Sequence, residues 1–439
     1  MLNPPLSFLS DDLFVYIVEH VATLPFNLET LCNLSLADRA FTQPCQRYIF
    51  RTLELGDGTG TKKKISQRLE KIRKILNSKP SIANYVRVVE LAISRNRNVW
   101  LINHSIFVSI LQLLAKSPMP PYELHFKTPM YCPLILEDPV LVVERLTQSF
   151  FSNTLTILHL TGCNNVPLPL FLVCPKLKEV LLDHVGVADE SYDLYPEKQI
   201  FDRGLPALEF LNYRDSQSLV KQMITPPLRF STPVITWSKL RVLILSPHEK
   251  EELICLQPIL NVACDALEEL HLTGIKVGNS EQLPLSGLVD LSHLPSLHVF
   301  ALYAIITCGA KGSAVLHDIN TVLRTIPACN KVTNLTLDYT VLGEHPFEGC
   351  LDQDWVGLCS EIIRIAAGKP LELDLMTTVS TGKLTYQHPG EEELYVHIMK
   401  KAELLSDHSR ICTHFWNPTC WTLGQRPLPT NQVRSRCKQ

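Results

Sequence analysis

The chain has 439 residues, 46% hydrophobic and 19% charged, a composition that excludes the disordered and fibrous classes. Its 41 Lys and Arg nearly balance 44 Asp and Glu, for a net charge of −3, which excludes whole-surface attraction to nucleic acid or an anionic membrane. Asn3-Pro4-Pro5 and Asp11-Asp12 do not suit a secretory signal, no apolar run approaches the ~20 residues of a membrane span, and 14 scattered Cys without a C-x-x-C pair read as buried free thiols of a cytoplasmic or nuclear protein.

In chain order, Leu13, Phe14, Ile17, Val18 and Val21 fall at helical spacing. Ser10 can cap this helix, Asp11 and Asp12 suit the positive end of its dipole, and Leu9 with Phe14 occupy hydrophobic-staple positions. A helix over 11–22 is predicted, ending before Pro25. Asn27 caps a second helix carrying Leu28, Leu31, Leu34 and Leu36; Thr42 and Pro44 read as the start of a third, holding Tyr48, Ile49 and Phe50. So small a unit buries little surface, and its apolar side chains are too many for one stripe. It needs a partner surface, either a second polypeptide or the array that follows, which it would close as a cap.

The order Leu9, Leu13, Ile17, then Leu28-x-x-Leu31, Leu34-Ser35-Leu36-Ala37-x-Arg39-x-Phe41 and Tyr48-x-Phe50 closely resembles the F-box, in the version common in fungal families. Ser10 stands where that family usually has Pro, and Phe41 where it usually has Trp. The resemblance implies docking onto the Skp-type adaptor of a cullin-RING (SCF) ubiquitin ligase, with Leu9, Leu13, Ile17, Leu31, Leu36, Phe41 and Tyr48 as the adaptor-binding residues.

Residues 56–60 are Gly-rich and read as a joint. Positions 62–79 then carry eight Lys or Arg against Glu70 alone, while Ile65, Leu69, Ile72, Ile75 and Leu76 share one helical face. An amphipathic linker helix is the reading, with no nucleic-acid or membrane partner.

From 86 onward the phrase L-x-x-L-x-L recurs, as Val86-x-x-Val89-x-Leu91, Leu155-x-x-Leu158-x-Leu160, Leu177-x-x-Val180-x-Leu182, Leu208-x-x-Leu211-x-Tyr213 and Leu240-x-x-Leu243-x-Leu245. It continues as Leu267-x-x-Leu270-x-Leu272, Leu297-x-x-Phe300-x-Leu302 and Val332-x-x-Leu335-x-Leu337, with weaker copies at 122–126 and 371–375. The pattern resembles the leucine-rich-repeat family, which implies a solenoid with a curved parallel sheet and helices on its convex side. The predicted class is therefore α/β: a three-helix F-box-like module (1–55), a linker (56–85), the solenoid (86–385), and a C-terminal cap with a loose tail (386–439).

Period-2 alternation turns the Leu side chains inward and their neighbours outward. His159, Asp183, Asn212, Arg214, Glu269, His271, Tyr303 and Asp338 are the candidate substrate-binding residues. The wider outward set holds eight carboxylates against Lys127 and Arg214, which points to a basic protein substrate, although exposed strand positions are polar in any case. The insertion 183–203 reads equally as a recognition loop or as a mobile one.

No catalytic motif and no cofactor-binding motif is present. His408, Cys412, His414 and Cys420 gather with Trp416 and Trp421, but their spacing matches no standard zinc site. No metal is predicted; a cap with buried Cys and Trp is preferred, behind a helix carrying Leu394, Ile398, Ala402 and Leu405. Two competing readings stay open, a repeat scaffold without a ubiquitin link and a hydrolase or metalloprotein using the C-terminal Cys and His.

Overall fold

In a computed structural model of the protein the described residues are 10–24, 27–56, 61–92, 98–128, 134–136, 138–188, 204–225, 234–247, 249–273, 283–307, 315–342, 353–380, 391–406 and 408–416. Leu9, most of the 183–203 insertion, Cys420, Trp421 and the tail lie outside them. The chain forms two compact units, Met1–Trp237 and Ser238–Gln439.

The first unit opens with helices α1 (Asp11–Thr23), α2 (Asn27–Ala37) and α3 (Arg39–Ile49). Ser10 stands at the α1 N-cap with extended backbone, and its carbonyl rather than its hydroxyl receives the first amide hydrogen bonds. The third helix starts earlier than Thr42 because Asp38 caps it, its Oδ1 accepting from the Ala40 amide at 2.9 Å. Pro44 therefore lies inside the helix, where it removes the amide that would have faced the Ala40 carbonyl. Phe14, Val18, Leu31, Phe41 and Cys45 form the buried centre of the module, with Ile17, Val21, Leu34, Tyr48 and Ile49 packed against it.

The sheet begins before the predicted linker does. Straight after α3 comes β1 (Thr52–Gly56), parallel to β2 (Val88–Ala92) with Leu53 beside Val89 and Leu55 beside Leu91. A five-residue strand with one L-x-L and no longer phrase left little signal. Gly56 has φ 110°, and a Cβ there would stand 2.3 Å from the Ala92 carbonyl oxygen, so only glycine fits this close approach. Between the two strands runs α4 (Lys62–Ser78), as predicted, with Ile65, Leu69 and Leu76 buried but Ile75 in solvent.

The strands β3 (Glu123–Lys127), β4 (Leu134–Ile135), β5 (Ile157–Thr161), β6 (Cys163–Asn164), β7 (Glu179–Asp183) and β8 (Phe210–Arg214) follow. β4 pairs only with β6, and the main sheet of this unit runs β1-β2-β3-β5-β7-β8, every pair parallel. Two buried ladders cross it: Val89, Leu124, Leu158, Val180 and Leu211, then Leu91, Phe126, Leu160, Leu182 and Tyr213. Burying such a side chain contributes about 1.5–3 kcal/mol, so the phrase L-x-L holds each strand in register.

The second unit repeats the design with β9 (Val242–Ser246), β10 (Glu269–Leu272), β11 (Val299–Thr307), β12 (Asn334–Leu342), β13 (Leu371–Ser380) and β14 (Ile411–Trp416), all parallel in that order. Leu243, Leu270, Phe300, Leu335 and Leu373 form one ladder, and Leu245, Leu272, Leu302, Leu337 and Leu375 the other. Helices Lys250–Val262, Val315–Thr325, Trp355–Ala366 and Glu391–Ser406 connect successive strands.

One backbone device recurs through both units. A single carbonyl just before a strand accepts two successive amides at the entry of the next: Arg51 from Arg87 and Val88, Tyr122 from Thr156 and Ile157, Arg241 from Glu268 and Glu269, His298 from Thr333 and Asn334. The repeat phrase thus specifies a shared strand entry as well as a buried face.

The C-terminal segment departs from its expectation. Its helix is present, but Ile411–Trp416 joins the sheet as strand β14, and Cys412 is exposed rather than buried; His414 is exposed as well. The stretch carries no L-x-x-L-x-L phrase, so repeat counting passed over it.

Candidate functional site

Three places hold the residues singled out from sequence. The first is the three-helix module. Leu31 and Phe41 lie inside its core at 2% and 5% exposure, Ile17 and Tyr48 are half-buried, and Leu13 and Leu36 are exposed, Leu36 at 85%. Tyr16, Leu24 and Leu28 are also exposed. Sequence reasoning did not single out these three as surface residues; for Leu28 the reason is that a leucine on the core side of α2 and one on its outer side read alike. Burial raises the Tyr48 phenol above its ordinary pKa, with the Glu19 carboxylate adding to the effect, so the ring stays neutral at physiological pH.

The second place is the open face of the first sheet, the side away from the buried ladders. Asp183 and Arg214 sit side by side in register, with Arg214 Nε 3.3 Å from Asp183 Oδ1. His184 bridges Asp183 and Asp215, with one ring nitrogen 2.8 Å from each carboxylate. His184 and Asp215 take φ of 55° and 47° as each follows its strand, left-handed positions that short polar side chains tolerate better than branched ones. Asn212 is half-buried beside Leu181. His159 lies opposite His125, their rings stacked 4.0 Å apart, with Glu123 against both. Of these three the sequence singles out only His159; the one signal for Glu123 and His125 was Glu-x-His in one repeat and a His at the matching phrase position of the next.

The third place is the open face of the second sheet. His271 is buried, with Nε2 3.5 Å from Glu269 Oε2. Tyr303 and Asp338 are register neighbours, and the Tyr303 hydroxyl is 2.6 Å from Thr340 Oγ1. Towards β14, Glu372 Oε1 stands 3.8 Å from His414 Nε2, which is 3.5 Å from Cys412 Sγ.

These contacts temper the acidity read from the sequence. Glu90 is engaged by Lys127 at 2.7 Å and Asp183 by Arg214, so both cations of the outward set already neutralise carboxylates beside them. Among the described residues, no helix is long and apolar enough to cross a membrane.

No protein-family model matches the chain, and no curated protein matches it in sequence. Among solved structures, the crystal structure of an internalin (inlF) from Listeria monocytogenes is similar at 11% identity, covering 78% of this chain and 69% of that chain, with a TM-score of 0.32. The repeat architecture of this chain rests on its own register: parallel strands coincide with all ten phrases found in the sequence, the eight clear copies and the two weaker ones.

Proposed function

We propose that this protein is a substrate-recognition subunit of an SCF-type cullin-RING ubiquitin ligase, acting in the cytoplasm or nucleus. Its N-terminal module docks a Skp-type adaptor, and the open strand faces bind a protein substrate. One observation carries the reading: the module completes its own core and still leaves Leu13, Tyr16, Leu24, Leu28 and Leu36 exposed, five large apolar side chains available to a partner surface. The function is positional. Holding a substrate lysine near a ubiquitin-loaded enzyme raises its effective concentration, while the transfer chemistry belongs to other subunits. A basic segment is the substrate class that the eight carboxylates of the outward set would suit.

The test is co-purification of the full chain with a Skp-type adaptor, comparing wild type with a Leu28→Asp, Leu36→Asp double variant. Wild type is expected to retain the adaptor and the variant to lose it while staying folded. A wild type that never retains the adaptor removes the ligase reading and leaves a protein-binding repeat scaffold. That second reading has its own support, since α3 runs almost directly into β1, the placement an end cap would have.

A further inference from the structure

Where β2, β3 and β5 run side by side, three side chains from two repeats converge on the open face. The ligating atoms of Glu123, His125 and His159 all lie within 4.8 Å of one another. His125 Nε2 is 2.7 Å and His159 Nε2 is 3.8 Å from the same carboxylate oxygen, Glu123 Oε1. The Glu123 side chain is only 5% exposed. His125 Nδ1 is buried and makes no hydrogen bond, with Glu90 Oε2 3.8 Å away and that carboxylate held in turn by Lys127 Nζ at 2.7 Å.

We propose that Glu123 Oε1, His125 Nε2 and His159 Nε2 bind one divalent first-row transition ion, Zn2+ foremost. A carboxylate drawn out of water requires positive charge beside it. Two imidazoles that turn the same nitrogen toward one carboxylate oxygen make the N, N, O donor set that zinc takes at about 2.0–2.2 Å. A tetrahedral ion at that range separates its donors by roughly 3.3 Å. The observed separations of 2.7 Å and 3.8 Å lie on either side of it, so the donor distances themselves need only small changes.

The rings must also tilt. They are parallel to within 4°, and an ion bound in the plane of one imidazole cannot also lie in the plane of a parallel one. Giving up such a stack costs about 0.5–1.5 kcal/mol, small beside the gain from two metal–nitrogen bonds. Glu90 is placed to accept from His125 Nδ1 once Nε2 holds metal, the carboxylate–histidine–metal relay that fixes the tautomer of a ligating histidine. Three protein ligands leave a fourth position facing the open side of the sheet, for water or for a side chain of whatever binds there.

The test uses the full chain carrying Cys412→Ser and His414→Ala, so that the exposed Cys–His pair on β14 contributes nothing, after dialysis against a chelator. Calorimetric titration with Zn2+ is expected to show one bound equivalent. His159→Ala should weaken binding by at least about 100-fold, and Glu90→Gln by about 10–100-fold as an outer partner. Co2+ should give the visible absorption of a tetrahedral ion without a thiolate charge-transfer band. Failure to bind Zn2+, binding unchanged in both His125→Ala and His159→Ala, or a thiolate band would each overturn the site. Circular dichroism confirms that each variant is folded, and His159→Ala with the Co2+ spectrum decides the matter if His125→Ala is not.

Discussion

Phe14 of α1 and Phe41 of α3 meet edge to face, ring centroids 4.8 Å apart and planes at 88°. Both are buried, so the contact holds two helices together at the centre of the module. Phe41→Ala is expected to destabilise it by about 3–5 kcal/mol, the usual cost of emptying a buried aromatic site, read as an earlier denaturant transition for the N-terminal helices. A shift below about 1 kcal/mol would show that the module does not depend on this core.

Leu36 has the opposite character at 85% exposure. Replacing it with Asp should change stability by no more than about 0.5 kcal/mol while reducing self-association of the purified chain and its retention of adaptor. Thermal melts beside light scattering check the two halves of this expectation, and marked destabilisation would mean that Leu36 is covered in solution.

In the second unit, Glu361 accepts from Arg324 Nε at 2.9 Å and from Arg364 Nε at 2.7 Å, while Arg364 Nη1 and Nη2 donate to the Ile326 and Leu323 carbonyls at 2.7 Å and 2.6 Å. One guanidinium therefore closes the end of the helix Val315–Thr325 and ties it to the next. Arg364→Ala should cost about 1.5–3 kcal/mol by leaving those acceptors unpaired. Arg364→Lys should recover little of this, because an ammonium cannot reproduce the fork.

The cysteines should divide by burial. Desolvation pushes the Cys163 thiol up to about 12 and the Cys359 thiol up to about 11, and it raises Cys174 as well. Cys329 and Cys412 are exposed. Among the described cysteines, maleimide labelling of the native protein near neutral pH, followed by peptide mapping, should mark Cys329 and Cys412 first and reach Cys163 and Cys174 only on unfolding.

Glu268 and Arg241 make a two-pronged contact at 2.9 Å and 2.6 Å, and the hydrogen bonds from Arg241 hold the Glu268 carboxyl below its ordinary pKa. A carboxyl depressed in the folded state contributes stability above its unfolded value, near 4.3, and loses it as pH falls through the folded value. The stability difference between wild type and Glu268→Gln should be level from pH 7 to about 5 and vanish in more acid solution. Its size should stay below about 1 kcal/mol, since both side chains are well exposed. A difference that grows on acidification would contradict the pairing.

Much of the fold was legible because its signals are local. The ten phrases found between 86 and 375 all became parallel strands, and α4 was visible from its own apolar spacing. Four strands were missed: the short pair β4 and β6, and in the main sheets β1 and β14, which lack the full phrase and pair with strands that carry a complete or a weaker copy of it. The start of α3 was misplaced because Pro44 imitates a first-turn proline while Asp38 supplies the real cap.

The order of residues by itself determined which side chains alternate and hence which face of each strand is buried, for that depends on neighbours one and two places away. Only the tertiary structure decided which leucines of the first fifty residues remain in water, which outward charges cancel one another, and that Glu123 and His125 meet His159 of the next repeat. Those outcomes follow from the register between repeats and the rotation of each packed helix, which no local spacing contains.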